Sequence, residues 1–116
     1  MTTDFTCTTL LTAAGPVLGF AGELDADVAP EALEAIGALT LEKGQQLVVD
    51  LGELAFCDSS GVAVLIAARN HALAADAGIA LAAVPPQLSR TLDLVGLTGF
   101  FTMYASTADA RAAWES

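Results

Sequence analysis

The chain has 116 residues, the size of one small domain, and 54% of them are hydrophobic against 16% charged, too apolar a mixture for a disordered chain. Four basic residues stand against fourteen acidic ones, a formal net charge of -10. That balance excludes a nucleic-acid binder, which needs clustered Lys and Arg to displace counterions, and disfavours an anionic membrane surface.

The same charge favours encounter with a basic protein partner. The apolar stretch at residues 61–68 is far shorter than the ~20 residues a membrane span needs. The first fifteen residues have neither a basic start nor a long apolar run, so no secretory signal is expected and the reading is cytoplasmic. Cys7 and Cys57 lie far apart without metal-type spacing, which fits two reduced thiols and no metal site.

In chain order, residues 5–12 are rich in Thr with aromatic and Leu neighbours and predict a strand. Ala13-Ala14-Gly15-Pro16 is a turn, and residues 17–21 predict a second strand closing a hairpin. Gly22-Glu23-Leu24-Asp25 leaves that strand. Asp25 or Asp27 is placed to cap a helix with Pro30 in its first turn and an apolar side of Leu33, Ile36, Ala38 and Leu41, ended by Gly44. Residues 47–51, LVVDL, predict a buried parallel strand, followed by a short connection over 52–57. A helix follows from Asp58 to about Ala77, with Val62, Leu65, Ile66, Arg69 and Leu73 on one face. Residues 79–84 predict another strand. Pro85-Pro86 opens a helix with Leu88, Leu92 and Val95 inward, residues 100–105 a last strand, and Thr107 a final helix carrying Trp114.

The order β-β-α-β-α-β-α-β-α predicts an α/β fold, a mixed and mostly parallel sheet flanked by about four helices, as one domain over residues 1–116. Sites in such sheets sit at the C-terminal ends of strands. Two of those ends carry unusual residues. One leads into Asp58-Ser59-Ser60-Gly61, short polar side chains where a helix begins and its first amides lack partners. The other carries Glu23 and Asp25, which the inferred topology brings beside the serines. A hydroxyl at such a place is exposed, and a phosphate on it would add about -1.5 to -2 charges at a helix end. By residue type alone, a simple helix cap is the commoner use of Asp58, Ser59 and Ser60.

These residues carry a resemblance. GELD at 22–25, VVDL at 48–51 and FCDSSGVAVL at 56–65 resemble the STAS domain of anti-sigma factor antagonists, and SRTLDLVGLTGFF at 89–101 is similar to that family's third helix and the approach to its last strand. The likeness runs from about Leu10 to Trp114. It implies a partner-switching regulator and not an enzyme. By resemblance, the unphosphorylated chain binds an anti-sigma factor that is also a serine kinase, and the sigma factor is freed. Phosphorylation of Ser59 ends that binding, and a PP2C-type serine phosphatase restores it. Asp58, Ser60 and Gly61 match the positions flanking the phosphorylated serine, and Glu23 and Asp25 match loop positions that contact the kinase. The resemblance gives this chain no cofactor of its own; ATP and Mg²⁺ belong to the kinase. The sequence departs from the family pattern at Cys57, where a larger apolar residue is usual, and at Ala63, where Gly is usual. A second reading is a STAS adaptor subunit of a lipid-transport ABC complex.

Hydrolytic chemistry is the weakest reading. His71, the single histidine, lies about 15–18 Å along the helix from Ser59 and Ser60 at 1.5 Å per residue, and is expected at the surface. No phosphate-binding Gly-rich loop is present. Trp114, Phe100 and Phe101 are expected to pack the last helix on the sheet.

Overall fold

In a computed structural model, which describes residues 4–115, five strands form one sheet in the order β1-β2-β3-β4-β5. They are β1 (Thr6–Thr12), β2 (Gly15–Leu24), β3 (Gln46–Cys57), β4 (Gly78–Ala82) and β5 (Thr102–Tyr104). The helices are α1 (Ala29–Gly37), α2 (Ser59–Ala74), α3 (Pro86–Leu94) and α4 (Thr107–Glu115). The hairpin β1–β2 is antiparallel and every other pairing is parallel, the mixed α/β sheet the sequence pattern predicts.

Two strands run well past their predicted ends. β2 continues through Gly22 and Glu23 to Leu24, and β3 continues through the expected connection to Cys57, the two extensions pairing with each other. Glycine and acidic residues argue against a strand locally. Pairing with a neighbour overrides that propensity, at the cost of register shifts between Gly19 and Ala21 and between Gly22 and Glu23. Gly22 takes φ +92°, and a side chain there would run into the carbonyl of Asp4. Only glycine accommodates both demands.

One face of the sheet is buried under α1 and α2. Its core joins Leu18, Phe20, Leu24, Ile36, Leu47, Val49, Leu51, Leu65, Leu81 and Leu92. α4 covers the other face over β3, β4 and β5, burying Val48, Ala80, Ala82 and Ala110. The buried stripe of α2 is Val62, Val64, Leu65, Ala68 and Ala72, while Leu73, predicted inward, is exposed and Arg69 is half-buried at the flank. Small alanines let the helix axis sit close to the sheet, and the long side chains are left to its margins. Leu33 on α1 and Val95 after α3 are likewise exposed, because α1 buries Ala32 and Ile36 and α3 ends before Val95. α1 ends at Gly37, so Gly44 closes a later turn, with φ +85°. The last strand is shorter than predicted. A 3-10 turn at Thr98–Phe100 leaves Phe100 exposed under the Arg69 guanidinium, 5.0 Å from its ring, and Phe101 buried.

The start of the sheet is fastened by α4. Arg111 donates through Nη1 to the carbonyls of Gln46 (2.8 Å) and Ala14 (3.4 Å) and to Gln46 Oε1 (3.2 Å), and through Nη2 to Thr12 Oγ1 and the Gly15 carbonyl. Gln46, itself buried, donates in turn to the Ala110 carbonyl. Trp114 lies over Gly78, where any side chain would strike the indole ring, and its Nε1 donates to the Gly44 carbonyl at 3.1 Å. No helix among the described residues is long and apolar enough to cross a membrane.

Candidate functional site

The extended β2–β3 pairing decides where the polar residues of the two loops meet. Glu23 pairs with Phe56 and Leu24 with Cys57, so the acidic end of β2 lies against the approach to α2. The amide of Asp58 donates to the Leu24 carbonyl at 3.3 Å, closing the two segments together. Asp58 is still extended, at φ -96° and ψ -168°, and α2 begins at Ser59.

Asp58 is the N-cap. Its Oδ1 accepts from the amides of Ser60 (2.9 Å) and Gly61 (3.1 Å), satisfying two of the donors that a helix start leaves free. Asp25 orders the turn that precedes α1 without capping the helix, its Oδ1 accepting from the amides of Asp27 (3.0 Å) and Val28 (3.3 Å). Neither predicted cap is used: the N-cap of α1 is Val28, which brings no side-chain acceptor, and Asp25 lies one turn earlier. Both carboxylates thereby hold their loops in place.

Ser59 is the first residue of α2 and is exposed, with Ser60 half-buried beside it. Glu23 and Asp25 are half-buried on the adjoining strand end. The Ser60 and Gly61 amides, which a helix start would otherwise leave free, are already occupied by Asp58 Oδ1.

Gly61 is buried, and its role is steric. A Cβ built there would lie 2.4 Å from Cys57 Sγ and 2.9 Å from the Leu24 carbonyl oxygen. The first turn of α2 can rest on the end of β2 only because residue 61 has no side chain. This contact has no local signature beyond the glycine itself, which costs helix propensity in the first turn of a helix. Cys57 is part of the same packing. Burial, and after it the Asp58 carboxylate, push its thiol up to about 11. Cys7, on β1, is raised by burial and by Glu31. Both cysteines are free.

Phe56, to which the sequence assigns no role of its own, is exposed near the end of β3. It borders a groove running from Leu54 to Cys57 on one side and along Pro85, Gln87, Leu88 and Thr91 on the other, next to the serine loop. His71, expected to be a free surface residue, is held on α1's trailing loop, Nε2 lying 2.9 Å from the Leu39 carbonyl. Among the described residues, no group of three His, Cys, Asp or Glu side chains is arranged to hold a metal ion.

A family model described as the Mlab STAS domain matches residues 7–104, most of the chain. An anti-sigma-B factor antagonist of Listeria monocytogenes is 31% identical over 78 residues, 67% of this chain and 68% of the relative. The chain belongs to the STAS-domain family of anti-sigma factor antagonists. The crystal structure of such an antagonist from Mycobacterium paratuberculosis superposes with a TM-score of 0.84 at 29% identity, covering 97% of this chain and 96% of that one. The Bacillus cell fate determinant SpoIIAA in its phosphorylated form shares the fold, with a TM-score of 0.63 at 24% identity over 95% and 98% of the two chains.

Proposed function

We propose that this chain is a partner-switching antagonist whose lever is the Ser59 hydroxyl. In the unphosphorylated state it binds an anti-sigma factor that is also a serine kinase and so releases the sigma factor. The kinase transfers a phosphoryl group to Ser59, the complex separates, and a PP2C-type phosphatase returns the hydroxyl. The observation that carries this reading is the exposure of Ser59 at the head of α2, beside the acidic end of β2.

The sign of the switch follows from electrostatics. Glu23, Asp25 and Asp58 form a negative rim that suits a basic docking surface, and the net charge of -10 speeds the encounter. In the complex, the Ser59 hydroxyl must face the kinase's own nucleotide phosphates. Phosphorylation adds about -1.5 to -2 charges at that contact. An unpaired or repelled charge in a docked interface costs about 2–5 kcal/mol. The fold itself is left intact, because Asp58 keeps the helix capped whether or not Ser59 is modified. Glu23, Asp25 and Ser60 are the contact residues in this reading, and Gly61 sets the seat of the loop.

The test is incubation with the cognate kinase and ATP followed by peptide mapping. Modification at Ser59, lost in Ser59→Ala while binding persists, is the expected result. Modification at Ser60 moves the lever by one residue. A chain that takes no phosphate and holds one partner unchanged is an adaptor of the transport-complex kind, and the proposal is then wrong.

A further inference from the structure

β1 is an edge strand. It pairs with β2 along seven positions without a register shift, and among the described residues no strand pairs with its other side. Half of its amides and carbonyls point outward. Exposed edges are usually protected by charges, proline or a bulge, since an open row of donors and acceptors is a template for another strand. β1 has none of these. Residues 5–22 contain no Asp, Glu, Lys or Arg, in a chain with fourteen acidic residues. Two large apolar side chains stand in the open on this strand, Leu10 at 63% and Leu11 at 76% of full exposure, one on each face of the sheet. On the α1 side, Thr9 and Leu11 form one wall of a shallow groove whose other wall is Ala35, Ala38, Leu39 and Thr40.

We propose that the free edge of β1 pairs with β1 of a second copy of this chain, antiparallel and two-fold symmetric about Thr9. Charge selects this occupant. Two molecules that each carry -10 repel over most of their surfaces, and the β1 edge is a strip where they meet without facing carboxylates. The strand is also complementary to itself. Centred on Thr9, pairing sets Leu10 opposite the second copy's Thr8 on one face and Leu11 opposite the second copy's Cys7 on the other, apolar or threonine partners at cross-strand distance. The groove beside Leu11 gains a roof from the second copy's strand. An isologous contact of this kind closes at two copies, because each edge is used once.

The salt dependence distinguishes this from binding of a basic protein segment. Screening the mutual repulsion of two acidic copies strengthens self-pairing, whereas it weakens attraction to a basic partner. Sedimentation equilibrium of the full chain, from about 10 to about 500 µM and from about 50 to about 500 mM NaCl, reads both. The expected result is a mass rising from 11.8 kDa towards twice that value, at lower concentration in high salt. Leu11→Glu and Leu10→Glu, at exposed positions, are each expected to raise the dissociation constant at least tenfold. Leu94→Glu, on α3 at 81% exposure, is expected to leave it unchanged. A monomer under all conditions overturns the proposal. So does a dimer that Leu94→Glu weakens as much as Leu11→Glu does, since that is general apolar association and not edge pairing.

Discussion

Replacing Gly61 by alanine probes the contact that seats the serine loop on the sheet. The added methyl has two neighbours that respond differently. Cys57 Sγ, at 2.4 Å, needs to retreat by more than 1 Å to reach ordinary contact, which a single rotatable side chain can do in part. The Leu24 carbonyl oxygen, at 2.9 Å, belongs to backbone that also accepts the Asp58 amide, so it yields only if the β2–α2 junction opens. Forcing a methyl into such packing costs about 1–3 kcal/mol. Alanine's better helix propensity returns up to about 1 kcal/mol. A net loss centred on about 1 kcal/mol and reaching about 2 kcal/mol remains, which at a urea dependence of about 1.5 kcal/mol per molar lowers the unfolding midpoint by about 0.7 M, and by about 1.3 M at most. Adding Cys57→Ala removes the sulfur contact and not the carbonyl one, so the double variant recovers part of the loss relative to Cys57→Ala alone. Urea titration by circular dichroism measures all four proteins. A Gly61→Ala protein as stable as the parent, or more stable, refutes the reasoning, since propensity would then outweigh a contact that is not tight.

Other consequences follow from single groups. Arg111→Ala strips the buried Gln46 Oε1 and three backbone carbonyls of a charged donor and is expected to cost about 2–3 kcal/mol, about 8–12 °C in melting temperature, with Arg111→Lys recovering little because an ammonium lacks the planar fork; a shift under about 2 °C contradicts this. Asp58→Ala loses the cap on Ser60 and Gly61 and should destabilise by about 1 kcal/mol in thermal unfolding, an effect absent from Ser59→Ala. With its thiol at about 11, Cys57 has about one thiolate in a thousand at pH 8, so its alkylation, followed by mass mapping, should be about a hundredfold slower than that of a free cysteine and should accelerate up to about pH 11. A fast reaction at pH 8 contradicts the burial described here.

The alternation of apolar runs with helix-period stretches was enough to order all nine main elements, because parallel central strands and alanine-rich helices leave unambiguous patterns. Ser59, Asp58, Glu23 and Asp25 were legible for another reason: short polar residues after an apolar strand mark a helix start, and the topology brings the two strand ends together. What stayed hidden depends on contacts between distant segments. Nothing local makes Gly52 to Cys57 a strand; β2 does, by pairing with it. Nothing in the period of α2 separates Leu73 from Ala72, and the choice falls to the closeness of the sheet. The clamp of Arg111 on a turn almost a hundred residues away has no sequence signature at all, and Gly61 shows its purpose only once Leu24 and Cys57 lie beneath it.

The central claim is that one phosphoryl group on Ser59 turns binding off. The most direct measurement is the dissociation constant of the complex with the anti-sigma kinase, taken by calorimetry for the unmodified chain and for the chain phosphorylated stoichiometrically at Ser59, under one buffer. The account predicts binding weaker by at least about 30-fold, the equivalent of about 2 kcal/mol, with unchanged circular dichroism. Affinities within about threefold of each other, on a chain shown to carry the phosphate, contradict it.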